Sequence, residues 1–250
     1  MRTIVWFCYF WVQFVCLLPT LRRAEKARAA GREDEVQALL SREVPRWAGG
    51  LLRLAGVTVE VTGRENIPSG ACVFVGNHRS YYDIPLMLTQ LDGPHAMVAK
   101  QQIDRIPLVR RWMRLLDCVF LDRDNPRRAM QALNAATELV KNGKSVVIFP
   151  EGTRGKGGEL ELGEFKAGAF RMALKAGAPV VPVAIHGSRD IMENNGGWMK
   201  PTHVTIRILP PVPTAGLSRE EQKQLPGRTA SLLLEALRPM QKISTKPKRS

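Results

Sequence analysis

Cysteine is scarce, and its four positions, Cys8, Cys16, Cys72 and Cys118, make no C-x-x-C pair and no cluster with histidine. That pattern speaks against a zinc site and against a disulfide framework. Acidic side chains are outnumbered, 23 against 37 Lys and Arg, and the net charge of +14 points to an anionic partner: nucleic acid, a phosphorylated substrate or an anionic membrane face. The basic residues are scattered, not striped among aromatics, and no recognition motif occurs, which sets nucleic acid aside. No G-x-S-x-G elbow is present, so no serine nucleophile of that type is offered. Gly143-Lys144-Ser145 is not a phosphate-binding P-loop either, because the position that needs the first glycine is Glu138. The chain also lacks a long apolar run. The stretch from Ile4 to Leu18, broken only by Gln13, falls short of the ~30 Å hydrocarbon core at about 1.5 Å per residue.

What is there fits one α/β domain with a short extension, and 250 residues suffice to bury a core without staples. The N-terminal run is rich in Trp6, Phe7, Tyr9, Phe10, Trp11 and Phe14, which favour the headgroup boundary, and Arg22, Arg23, Lys26 and Arg28 follow it. An in-plane or half-inserted membrane anchor is expected. A cleaved signal peptide is disfavoured, since the stretch after Leu21 is charged and has no small-residue cleavage site. If the run spans, its basic flank puts the rest of the chain on the cytoplasmic face of the cytoplasmic membrane. Val36, Leu39, Leu40 and Val44 recur at helical spacing before Pro45, which is expected to interrupt that helix.

Beyond Gly56 the texture changes. Strands are expected at 57–61, 71–75, 95–99, 118–121, 145–149, 180–185 and 203–209, with helices at 84–91, 126–142, 165–176 and 218–240. Pro182 is expected at an edge or bulge. The alternation predicts an α/β fold: a mixed β-sheet flanked by helices, preceded by an amphipathic, membrane-anchoring helical segment. The expected divisions are 1–55 for that segment, 56–240 for a catalytic domain and 241–250 for a basic tail carrying Lys242, Lys246, Lys248 and Arg249.

Two constellations carry chemistry. In Asn77-His78-Arg79-Ser80-Tyr81-Tyr82-Asp83, a single helix would hold His78 and Asp83 about 140° apart, so they meet only if the chain turns from strand into helix between them. An Asp on one imidazole nitrogen fixes the tautomer and leaves the other nitrogen to take a proton from a hydroxyl. With no serine elbow, that hydroxyl can be the substrate's own. Alone, such a pair is weak evidence, because most are incidental and a histidine after a strand is commonly a satisfied structural residue. In Phe149-Pro150-Glu151-Gly152-Thr153-Arg154, the glycine permits a tight turn with open N–H groups and Arg154 supplies a planar fork for phosphate. Alone, this hexapeptide is as readily an ordinary Pro-Gly loop. Arg123 stands between Asp122 and Asp124, where a surface ion pair is the bland alternative. His95, His186 and His203 have no acidic partner at useful spacing and are read as structural.

His78-x4-Asp83, Phe120-Leu121-Asp122-Arg123, Phe149 to Arg154 and Val181-Pro-Val-Ala184 follow one another in the order and approximate spacing of the four motifs of glycerolipid acyltransferases. Over roughly 57–209 the chain resembles the bacterial 1-acyl-sn-glycerol-3-phosphate acyltransferases. The resemblance implies His78 as general base oriented by Asp83, and Arg123 and Arg154 on the substrate phosphate with Lys100 as helper. It also implies Glu151, Gly152 and Thr153 against the acceptor. The implied reaction carries an acyl group from acyl-CoA or acyl-carrier protein to the sn-2 hydroxyl of lysophosphatidate, on an anionic membrane, with no cofactor, no metal and no covalent acyl-enzyme. Rival readings are an acyltransferase for glycerol 3-phosphate or another lysolipid and, outside enzymes, a basic peripheral membrane-binding protein.

Overall fold

A computed structural model describes the backbone of residues 1–244 and the side chains to residue 241. The chain opens with three helices, α1 (Arg2–Cys16), α2 (Leu18–Ala29) and α3 (Glu33–Ala55). Glu33, Asp34 and Glu35 crowd the first turn of α3, where carboxylates complement the helix dipole, and Gly56 at φ +76° closes its far end. Pro45 does not break α3 as expected; the helix runs through it. The lost backbone bond, a cost of about 3 kcal/mol, is offset by a stripe from Val36 through Leu40, Val44 and Ala48 to Leu52, all buried against the neighbouring helices and the sheet.

The remaining elements are β1 (Val57–Thr62), β2 (Val73–Gly76), α4 (Asp83–Gln90), β3 (Ala96–Lys100), α5 (Pro107–Leu115), β4 (Val119–Leu121), α6 (Pro126–Lys141), β5 (Val146–Ile148), α7 (Arg171–Ala176), β6 (Val180–His186), β7 (Thr202–Ile208) and α8 (Arg219–Ser244). The expected strands all form. Two sequence readings shift: α5 was not foreseen, and the helix expected over 165–176 is a three-ten turn at Ala167–Phe170 followed by the short α7. Residues 241–244 of the expected basic tail are the last turn of α8, and the rest lies outside the described residues.

Seven strands form one sheet in the order β1-β7-β6-β2-β5-β3-β4, with β6–β7 antiparallel and every other neighbouring pair parallel. This is the expected mixed sheet flanked by helices. One face packs on α1 to α5 and the other on α6, α7 and α8. Pro182 sits in interior strand β6, opposite Val75 of β2 and one residue before the β7 ladder begins at Val183, so its missing N–H costs no β7 ladder bond. The order matters for function: β2, β5, β3 and β4 are consecutive and parallel, so their carboxyl ends, and whatever follows each, share one edge.

No single described helix is long and apolar enough to cross a membrane; α1 and α2 reach that length only together, bent by 47°. Along α1, Trp6, Phe10 and Phe14 pack inward, Phe10 and Phe14 against Trp47 of α3, while Ile4, Val5, Phe7, Trp11, Val12 and Val15 are left exposed.

Candidate active site

His78 follows β2 by two residues and Asp83 opens α4, which is the strand-to-helix turn that the spacing required. His78 Nδ1 lies 2.8 Å from Asp83 Oδ2, and that same oxygen accepts the backbone N–H of Arg79 at 2.7 Å and of Ser80 at 2.8 Å. An oxygen that already receives two backbone donors is an acceptor, so the contact is made by the tautomer that donates from Nδ1 and leaves Nε2 as the acceptor nitrogen. Asp83 is fully buried. Its Oδ2 faces those N–H groups at the amino end of α4.

The ring of His78 stacks on Phe149 of the second constellation, centroids 4.3 Å apart and planes at 20°. Gly76 makes room for this: a Cβ there would meet Met87 at 2.6 Å and Phe149 at 3.0 Å. Asn77, also fully buried, locks the end of β2 to β6, donating from Nδ2 to Ile185 O and accepting Ile185 N at Oδ1, each at 2.8 Å.

The pairing of β2 with β5 brings Glu151 beside His78. Glu151 Oε1 accepts His78 N and Oε2 accepts Gly163 N, both at 2.8 Å, so the buried carboxylate joins the histidine turn to the far end of its own loop. Gly152, at φ +72°, takes the left-handed turn that a side chain would strain, and a Cβ there would sit 3.3 Å from the Arg123 guanidinium. Arg123, just past β4, therefore reaches the second constellation through space. Asp122 pairs instead with Arg128, at 3.5 Å, and Arg123 has no ion pair among the described residues. Burial presses its pKa below the usual guanidinium value, with Asp124 pushing the other way. A partly desolvated cation of this kind favours an incoming anion.

Arg154 sits over the Tyr81 ring, its Cζ 3.5 Å from the centroid, and Nη1 donates to Glu193 at 3.3 Å. Thr153 is exposed. Lys100 ends β3 in register with Leu121 of β4, exposed at the same edge of the sheet.

Three residues escaped the sequence reading. Arg79 is buried and donates to the carbonyls of Gly157 and, at 3.3 Å, Glu161, and Arg189 donates to Gly155 O at 2.7 Å; together they pin the glycine-rich loop after β5. Glu193 reaches the site from the β6–β7 connection. A long-range contact from a loop leaves no periodic signal, so only the excess of Gly between 152 and 163 hinted at a loop that needs bracing. His203, read as lacking an acidic partner, has one across the β1–β7 pair: Glu60 Oε2 at 3.3 Å from Nε2.

An apolar cavity of about 120 Å³ opens beside α4, lined by Ile84 and Leu88 together with Val44, Trp47, Met97 and Trp112. Ile84 directly follows Asp83. The site thus sets an oriented histidine among cationic side chains, and the apolar cavity lies along α4, the helix that Asp83 opens.

The profile of the Acyltransferase family matches residues 58–186. A chloroplastic 1-acyl-sn-glycerol-3-phosphate acyltransferase of Brassica napus is 40% identical over 60% of this chain and 43% of its own length. The 1-acyl-sn-glycerol-3-phosphate acyltransferase of Borreliella burgdorferi is 33% identical over 70% of this chain and 69% of its own. The chain therefore spans less than half of the first relative and about two thirds of the second. Among solved structures, the crystal structure of the 1-acyl-sn-glycerophosphate acyltransferase from Thermotoga maritima superposes with a TM-score of 0.79 at 29% identity, covering 100% of both chains.

Proposed function

The chain belongs to the acyltransferase family, and from that premise we propose that it moves a fatty acyl group from a thioester donor, acyl-CoA or acyl-carrier protein, to the sn-2 hydroxyl of 1-acyl-sn-glycerol 3-phosphate. The observation that carries the reading is the His78 Nδ1 to Asp83 Oδ2 contact at 2.8 Å, which leaves Nε2 free to take a proton where no serine elbow exists.

The acceptor hydroxyl loses its proton to His78 Nε2 as its oxygen bonds to the thioester carbonyl carbon. Asp83 stabilises the imidazolium so formed. The tetrahedral intermediate then expels the thiolate, which takes the proton back from His78, giving phosphatidate and a free thiol. Arg123 and Arg154 hold the acceptor phosphate, with Lys100 at the rim. Gly152 gives the close backbone approach, Thr153 offers a hydroxyl, and Glu151 acts through the backbone of His78 and Gly163. The apolar cavity beside Ile84 takes an acyl tail. The exposed apolar face of α1 rests in an anionic membrane surface with the catalytic unit on its cytoplasmic side, where the substrate resides.

The test is acyl transfer by the purified chain in liposomes, offering lysophosphatidate, glycerol 3-phosphate and a zwitterionic lysolipid in parallel, with acyl-CoA and with acyl-carrier protein. Phosphatidate is the expected main product. Preference for glycerol 3-phosphate or for the zwitterionic lipid would keep the reaction type and reject the acceptor.

A further inference from the structure

Glu193 stands in a three-ten turn, Glu193–Asn195, on the excursion between β6 and β7, outside every motif that the sequence singled out. Its side chain is only 13% exposed, and both of its oxygens face the candidate site. Oε2 accepts from Ser80 Oγ at 2.8 Å; Oε1 accepts from Tyr81 N at 2.9 Å and from Arg154 Nη1 at 3.3 Å. A single carboxylate therefore joins the turn between His78 and Asp83 to the arginine of the loop after β5.

The arrangement matters because Arg154 is long, a third exposed, and carried on a loop rich in glycine. Two contacts hold its guanidinium: the Tyr81 ring beneath Cζ and the Glu193 carboxylate at Nη1. Tyr81 is itself tied, through its N–H, to that carboxylate, so ring, guanidinium and turn are set as a unit. The remaining N–H groups of the Arg154 fork have no hydrogen-bond partner among the described residues. A fork fixed at one corner and open at the others suits an anion that accepts two bonds side by side.

We propose that Glu193 is a positioning residue for the acceptor phosphate, fixing Arg154 so that its open N–H groups meet the phosphomonoester and linking that grip to the turn that carries the His78–Asp83 pair. The inference rests on the reading of the acceptor as a phosphate-bearing lysolipid. The opposite effect, a carboxylate that simply repels phosphate, predicts the opposite sign on KM.

The experiment is steady-state kinetics of the full chain in detergent with lysophosphatidate, for wild type, Glu193→Gln, Arg154→Ala and the double variant, each checked by thermal melting. Glutamine keeps the length and an acceptor for Tyr81 N but loses the charge opposite Arg154. Glu193→Gln is expected to raise KM for lysophosphatidate about five- to tenfold, the scale of one net hydrogen bond, with kcat and the donor KM within about twofold of wild type. On the Arg154→Ala background the same change is expected to add less than about twofold, since its partner is gone. A KM that is unchanged or lowered in Glu193→Gln, or a cost that persists undiminished without Arg154, overturns the proposal. If the wild type makes no phosphatidate, the acceptor reading fails and this inference falls with it; if the wild type is active and Glu193→Gln matches it, this inference falls alone.

Discussion

Asp83 Oδ2 receives three groups at once, the His78 ring and two backbone N–H groups, inside a fully buried pocket. Replacing Asp83 by Asn keeps an oxygen for those donors and removes the charge that stabilises the imidazolium. Asp83→Asn is accordingly expected to stay folded and to lose about 10²- to 10⁴-fold in kcat, read as phosphatidate formation at saturating lysophosphatidate beside a thermal melt. A kcat within a few-fold of wild type would mean that His78 works without this partner. The residue scale also shows what was legible beforehand. Short-range rules for turns, tautomers and anion forks marked His78, Asp83, Gly152 and Arg154 as candidates, and the four motifs in register raised them above the incidental readings. Arg123 was found as part of a motif, but its reach to Gly152 depends on two strands being brought to one edge. Glu193 was invisible, since its partners lie 39 to 113 positions away in the chain.

At the scale of elements, the buried strands were legible as apolar runs bounded by turn residues, and β1 as an alternation of apolar and polar residues. The failures have physical causes. Pro45 was read as a break by a local rule that tertiary packing of α3 overrode. The short α5 carries no side-chain cap, but Pro107 stands in its first turn and Leu108, Val109, Trp112 and Leu115 recur at helical spacing against Arg110, Arg111 and Arg114, so a short signal was present and was overlooked beside the longer helices. The split of α1 into a packed and an open face could not be seen in a run that is apolar all round. That open face makes its own prediction. Phe7, Trp11 and Val15, 48%, 49% and 59% exposed, lie four residues apart on one stripe. Their combined replacement by serine is expected to leave the melting temperature near wild type and to weaken sedimentation with anionic vesicles about tenfold or more, given 1.5–3 kcal/mol for each large apolar side chain fully buried. Undiminished vesicle binding would assign the membrane contact elsewhere.

For the whole molecule, the sheet order assembles the candidate site: consecutive parallel strands β2, β5, β3 and β4 bring His78, the 149–154 loop, Lys100 and Arg123 to one edge. Stability at this scale has a pH signature. Burial lowers the pKa of His95 and of His186 below the ordinary 6.5, against an opposing pull from Asp92 on the first and Asp190 on the second. A native state that prefers these rings neutral binds fewer protons than the unfolded chain once pH drops below 6.5. Stability from both is thus fully present above that value and is lost as pH falls through the lowered folded values. The melting temperature is expected to decline from pH 7.5 toward pH 5.5, a span of about one unit on either side of the free imidazole value. The decline should be shallower in a His95→Gln/His186→Gln variant, and an equal slope in both proteins would remove these two rings from the explanation.

The central claim, that an oriented histidine activates the acceptor's own hydroxyl, is tested most directly by adding His78→Ala to the liposome assay with lysophosphatidate and an acyl-CoA. The expected result is phosphatidate from the wild type and a rate at least about 10²-fold lower from a variant that melts like it. A folded His78→Ala protein that makes phosphatidate at the wild-type rate would contradict the claim.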